Sequence, residues 1–520
     1  LKAAFSLYEE AYVRASRRGQ VADAYYTGIN AATMAVLRGD EACAKEIAGH
    51  VRELCKDELA REDNESATYW IRATIAEAAL ILRDRKEAEA QYRAAAKIAG
   101  SRYGDLGSTR RQARLLLAQM DEDDAWLEKV LSVPPVLVYA GHMIDQPDRE
   151  DPRFPASLES AVEKQIRSKL ERINPVAAYG SAACGADILC LEAVRDLGGE
   201  IHITLPFPPD EFKDFCVDFV PKGTWGERFE NLLEAADSVI VASDHRAEGS
   251  VSTFEYANLI MTGMCWLRSE VLETSLVGLA VWDGGPNGGV GGTTSVVDLW
   301  RSRGIRKELI SITELRRSQL GETMDSPDGT LSKTKPITAS TRFPHEIKAM
   351  LFADAVGYSK LTENQIPNFI ECFLGAVAEL NDRSAHPPIH METAGDGLYF
   401  VFTDTADAGH YALELSELVA TIDWQEHGLP STFDMRIGLH CGPVFCTQDP
   451  ITKLPLYTGP HTSRTARIEP ITPPGQVYAS SAFAAVAAAT GVDGLKFSYI
   501  GRTQLAKKYG SLALYHVQRP

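Results

Sequence analysis

The 520-residue sequence predicts a multidomain chain: an all-α N-terminal region, a parallel α/β middle domain and a C-terminal segment that mixes strands with helices. Three observations predict it. From Leu1 to about Asp123 there is no proline, and Ala, Leu, Glu and Arg recur at helical spacing. Between Pro134 and Thr313, short apolar runs alternate with helical patterns, an order that implies a parallel sheet with right-handed crossovers. Residues 313–342 are then polar and rich in Ser, Thr, Gly and Pro, as in a linker, and strand-like runs around a tight turn follow them. The divisions fall at 1–128, 129–312, 313–342 and 343–520.

Bulk properties narrow the partners. A formal net charge of -18 argues against a nucleic-acid binder, because duplex affinity comes largely from Lys and Arg neutralising phosphates. A small nucleotide arriving with its own Mg²⁺ is compatible with that charge. The nine cysteines are scattered without a CxxC pair, so neither a disulfide framework nor a zinc ribbon is indicated, and a reducing, cytoplasmic location is expected. No apolar run reaches the ~18 residues of a membrane span, so no membrane partner is expected.

In the helical region, Gly28, Ala31 and Ala32 let two helices approach closely, and Gly39-Asp40 is a helix stop. The stretch ATYWIRATIAEAALILRDRKEAEAQYRAAAKIAG repeats the helix, turn, helix plan of TPR-like solenoids. YYTGINAATMAVLRGD resembles the TRAFs-binding region of apoptosis signal-regulating kinases and of bacterial signalling proteins. That resemblance implies a scaffold or regulatory arm able to take a protein partner; a bundle that only packs on a neighbour is the alternative.

In the middle domain, VLVYAG, NPVAAYGSAACGAD, EIHITLPFP, SVIVAS and LVGLAVWDG each end in turn residues. Ligands of parallel sheets bind beyond the carboxyl ends of the strands. Small residues at Gly180, Ser181 and Gly185, beside Gly141, can face a phosphate or serve tight packing. With VYAGHMID, PFPPDEF and FEYAN, the segment resembles the SLOG family of Rossmann-like domains, which implies a second nucleotide site at Gly141, Gly180, Ser181 and Gly185. His142, His202 and His440 sit in or beside strands and read as structural. The GGPNGGVGG run at 284–292 lacks the Lys-Ser/Thr of a phosphate loop and reads as a flexible loop.

The chemistry lies after the linker. HEIKAMLFADAVGYSKL is a strand entering a turn, TENQIPNFIECFLGAVAEL a helix, and PIHMETAGDGLYFVF two strands around a turn. Asp354 ends one apolar strand, where burying a lone carboxylate costs several kcal/mol, and Asp396 lies at the turn after another. Two hard carboxylates at one sheet edge suit Mg²⁺ or Mn²⁺ with positions left for water and phosphate.

FADAVGYSKL, ETAGDGLYFVF, MRIGLHCGPVF, YTGPHTSRTARIEP and GRTQLAKKYGSLALYHV, in that order over about 344–518, resemble the motifs of class III nucleotidyl cyclases. The resemblance implies an α+β, ferredoxin-like βαββαβ fold, a homodimer through this domain and active sites at its interface. It implies that Asp354 and Asp396 bind two Mg²⁺ or Mn²⁺ ions with the carbonyl of Ala355, and that the backbone of Val356, Gly357 and Tyr358 holds phosphates. Arg467 matches the transition-state arginine, acting from the other subunit. Lys507 matches the triphosphate lysine, with Lys508 as the alternative, and Ser463 stands where many members carry a ribose-positioning Asn. Of the two base-selecting positions, Glu392 matches the guanine type whereas Leu456 has no hydrogen-bonding group. The substrate expected is ATP or GTP; a pyrimidine cyclase of phage defence, and an inactive signalling scaffold, stand as alternatives. The upstream domains are expected to regulate how two cyclase domains meet.

Overall fold

The computed structural model describes residues 1–150, 152–220, 223–246, 251–285, 291–320, 343–505 and 510–520. The chain packs into two compact units, Leu1–Pro135 with Arg268–Ser275, and Val136–Leu267 with Leu276–Pro520. The parallel α/β segment and the C-terminal segment share the second.

The first unit is helical, as its composition predicts: Lys2–Arg17, Val21–Leu37, Glu41–Leu59, Glu65–Ile81, Arg85–Ala99 and Tyr103–Gln119. Asp40, Asn64 and Asp84 cap three of these helices by accepting from the backbone N–H three residues on, which satisfies donors a helix start leaves orphaned. A Cβ on Gly28 would lie 2.6 Å from Val51 and 2.8 Å from Tyr12, so this glycine does bring helices together.

In the second unit, β1 (Val136–Gly141), β2 (Ala177–Gly180), β3 (Glu200–Leu205), β4 (Ser238–Val241), β5 (Leu276–Trp282) and β6 (Arg306–Ser311) form one parallel sheet in the order β4-β3-β2-β1-β5-β6. Five of the six are the apolar runs legible in the sequence. The edge strand β6, RKELIS, has no such run: three of its six residues are charged, as a solvated edge permits.

The C-terminal sheet contains β7 (His345–Val356), β8 (His390–Ala394), β9 (Gly397–Phe402), β10 (Asp434–Gln448), β11 (Pro455–Thr458), β12 (Val477–Ser480), β13 (Lys496–Gln504) and β14 (Ser511–Gln518). Its order is β13-β14-β12-β10-β7-β9-β8, with β11 on β10. β7 to β10 follow the expected βαββαβ plan, and β12 to β14 extend it. The helix expected over TENQIPNFIECFLGAVAEL forms as one continuous run, with a 3₁₀ start at Glu363–Gln365, a short α stretch at Ile366–Asn368, a π-helical turn at Phe369–Leu374 and an α-helix at Gly375–Arg383.

Side chains alternate across β7. Leu351, Ala353 and Ala355 enter the main core with Leu398, Phe400 and Leu439, while Met350 and Phe352 join Tyr399, Val401 and Val444 on the other face. Asp354 is in phase with the second set. The helix Ser252–Val271 reaches the main core through Tyr256, Ala257 and Ile260. At Gly263 a Cβ would lie 1.7 Å from the Ala485 carbonyl oxygen, an approach only glycine allows.

Candidate active site

Register sets the acidic end of the site. Asp354 lies opposite Gly397 on β9 and Arg436 on β10. Gly395 at φ +67° closes the turn that carries Asp396, and the Ala355 N–H donates to the Asp396 carbonyl at 3.3 Å. The two carboxyls meet. Burial, then the Asp396 charge and a hydrogen bond with it, push the Asp354 carboxyl above its usual range, and Arg436 offsets this only in part.

A residue not singled out in the sequence joins them. Glu469, in a 3₁₀ turn at Glu469–Ile471, packs over β10 where Gly438 leaves room: a Cβ there would meet the Glu469 N at 2.7 Å. Its carboxyl is pushed up to about 7 by burial first and by Asp354 next, with Arg436 pulling it down. Its Oε1 is buried without a hydrogen-bond partner. Three carboxyls thus crowd one guanidinium, and one of their oxygens is left without a hydrogen-bond partner. Among the described residues no group of three or more His, Cys, Asp or Glu is placed so that together they could hold a metal ion. The only sequence signal for Glu469 was its place two residues after Arg467.

After Asp354, Val356 ends the strand, Gly357 adopts φ +88° and Tyr358 opens a 3₁₀ turn with its ring 4.7 Å from that of Phe369. Nothing lies within 4 Å of a Cβ placed on Gly357, so the backbone there is open to a ligand.

Glu392, about half exposed, is held by His390, whose Nε2 lies 2.7 Å from Glu392 Oε1. The His390 ring is 5.2 Å from that of Tyr457, so Leu456, next in chain to Tyr457 on β11, comes from the strand beside Glu392's partner.

The arm with Ser463 and Arg467 begins as a helix, Pro460–Thr465, lying on the same sheet face as Met350: the Thr462 hydroxyl is 3.6 Å from its sulfur. Ser463 is exposed. Arg467 makes no side-chain hydrogen bond or ion pair among the described residues, and its Nε is buried without a partner. Lys507 and Lys508 lie outside the described residues.

In the α/β domain, the small residues are filled by neighbours. A Cβ on Gly180 would lie 2.1 Å from the Tyr139 ring, one on Gly141 2.3 Å from Ala186, and one on Gly185 2.6 Å from the Ile144 N. The Tyr139 hydroxyl donates to the Ser181 carbonyl at 2.6 Å. Packing therefore accounts for the sizes of these residues. His142 contacts Asp283 at 3.1 Å, His202 bonds Ser238, and His440 bonds Ser480 and His461, all of them structural contacts. Within the Gly-rich run, residues 286–290 are outside the described residues.

Residues 342–517 match the family described as the adenylate and guanylate cyclase catalytic domain. Among solved structures, the guanylyl cyclase Cya2 is 21% identical, covering 34% of this chain and 93% of that one at a TM-score of 0.30. The guanylate cyclase domain of RhGC from Catenaria anguillulae, solved with GTP, is 17% identical over 34% of this chain and 98% of that one, TM-score 0.29. The adenylyl cyclase CyaB from P. aeruginosa is 12% identical over 35% and 97%, TM-score 0.30. No curated protein matches the chain. Residues 342–517 are a class III cyclase catalytic domain by this match, and no family is assigned to the helical and parallel α/β regions. No helix among the described residues is long and apolar enough to cross a membrane.

Proposed function

We propose that the chain is a nucleotidyl cyclase that closes ATP or GTP to its 3′,5′-cyclic nucleotide with release of pyrophosphate, at a site shared by two cyclase domains in a homodimer. The observation that carries it is the meeting of Asp354 and Asp396 at the end of the neighbouring strands β7 and β9, beside an orphaned Glu469 oxygen. Asp354, Asp396 and the Ala355 carbonyl would hold two Mg²⁺ or Mn²⁺ ions, which when bound lower the pKa of the attacking 3′-hydroxyl and neutralise phosphate charge. The backbone of Val356, Gly357 and Tyr358, open at Gly357, would bind the β- and γ-phosphates. Arg467, without a carboxylate partner among the described residues, would meet charge that builds on the α-phosphate of a nucleotide bound mainly by the second copy. Ser463 orients the ribose, and Lys507 binds the triphosphate.

Glu392 supports guanine over adenine. His390 occupies one of its oxygens, leaving the other to accept from the base N1–H and exocyclic amine. The upstream domains regulate the pairing of the cyclase domains.

Incubation of the full chain with each of the four nucleoside triphosphates and Mn²⁺ tests this reading. Cyclic GMP or cyclic AMP with equimolar pyrophosphate is expected. A cyclic pyrimidine product would replace the base assignment, and no cyclic product from any of the four would end the cyclase reading.

A further inference from the structure

The helix Pro460–Thr465 is too short to hold its own orientation, yet the segment it begins carries Ser463 and Arg467. One side is seated on β10: Gly442 has no Cβ because the His461 ring lies 2.3 Å from where it would be, and His461 Nδ1 is 3.0 Å from His440 Nε2. The other side is held by the α/β domain. Asp244 accepts from Arg464 at 2.8 Å, Ser243 Oγ is 3.3 Å from His461 Nε2, and the Tyr256 ring packs edge-on to His461 at 5.3 Å. Tyr256 in turn donates its hydroxyl to the Cys441 carbonyl at 2.6 Å. The loop with Ser243 and Asp244 is itself fixed to the carboxyl end of β3, since Ala242 N–H donates to the Leu205 carbonyl at 2.8 Å and Ser243 N–H to the Pro206 carbonyl at 3.1 Å.

We propose that Asp244, helped by Ser243, is a positioning residue for catalysis: from the α/β domain it holds the helix that aims Ser463 and Arg467, so that the state of the loop after β4 sets the geometry of the cyclase arm. This rests on the cyclase reading above. An ion pair with Arg464 fixes the direction of a one-and-a-half-turn helix that propensity alone leaves free. The contact joins the end of the parallel sheet where ligands of such folds bind to the segment bearing the transition-state cation, and the catalytic domain itself covers the end of β4.

The test compares the full-length wild type with Asp244→Ala, Asp244→Glu, the charge exchange Asp244→Arg with Arg464→Asp, and Arg303→Ala. Arg303 bonds the Ala488 carbonyl at 3.4 Å, elsewhere between the same two domains. Asp244→Ala is expected to lower kcat by about 2- to 30-fold with KM and Tm little changed, Asp244→Glu and the charge exchange to recover most of it, and Arg303→Ala to leave kcat near the wild-type value. Equal losses in Asp244→Ala and Arg303→Ala, or no loss in Asp244→Ala, would overturn the proposal. Amide hydrogen exchange provides a readout independent of turnover. Residues 459–467 are expected to exchange faster in Asp244→Ala while β10 stays protected, and unchanged exchange would overturn the proposal even if the wild type were found to make no cyclic product.

Discussion

Asp354 and Arg436 stand opposite each other in the β7–β10 ladder, and the guanidinium is outnumbered: Asp396 and Glu469 act on the same space. In the protein alone this arrangement is unfavourable, since burial and like charge both oppose ionisation of the carboxyls. Such crowding is tolerated where a cation completes the charge.

Replacing Asp396 with Ala should therefore separate function from folding. Cyclic product is expected to fall by roughly 10³-fold or more, while Tm measured without divalent metal is unchanged or higher because a repulsion is removed. Product at the wild-type rate, or a collapse of Tm, would contradict this assignment.

Glu469→Gln keeps the shape of the side chain and removes its charge. The concentration of Mn²⁺ giving half-maximal rate is expected to rise roughly tenfold, with kcat at saturating Mn²⁺ much less affected. A metal titration superimposable on that of the wild type would confine Glu469 to packing.

For base choice, Glu392→Ala is expected to lower kcat/KM for GTP by about 10²-fold or more and to affect ATP less. His390→Ala should act in the same direction more weakly, because it frees Glu392 from its 2.7 Å partner without removing the acceptor. Steady-state rates with both nucleotides distinguish the outcomes.

His440 and His461 give a pH signature. Burial pushes both rings well below 6.5, and the charge of Arg464 opposes protonation of each, with His345 also acting on His461. They stay neutral in the fold but take up protons when unfolded, so the stability they contribute is full above about pH 6.5 and is lost as pH falls below it. Asp187 and Glu469, each pushed up to about 7, act with the opposite sign. The decline of Tm between about pH 7 and pH 5 should thus be flatter in His461→Gln than in the wild type, both carboxyls being common to the two proteins. Parallel curves would show that His461 does not titrate on unfolding.

The parts legible in the sequence were those written in short stretches. Asp354 and Asp396 each sit at the end of a visible strand, and β1, β2 and β5 are apolar because both faces of the sheet are covered there. Chemistry assembled across the chain was harder to see. Glu469 becomes part of the acidic site only because Gly438 lets a turn settle on β10, and Arg436 because the β7–β10 register brings it opposite Asp354. Gly141, Gly180 and Gly185 carried the opposite ambiguity, since a glycine that admits a phosphate and one that admits a tyrosine ring look the same until the neighbour is placed. The pairing of Asp244 with Arg464 had no sequence signal at all, the two lying in different domains.

The proposed site takes its carboxylates from one copy of the chain and Arg467 from another. Mixing two separately purified, inactive variants, Asp396→Ala and Arg467→Ala, tests it most directly. Cyclic nucleotide should appear on mixing, because a mixed dimer holds one site with both groups intact. Failure of the mixture to make product, under conditions where the wild type does and the two chains are shown to exchange subunits, would contradict the shared site.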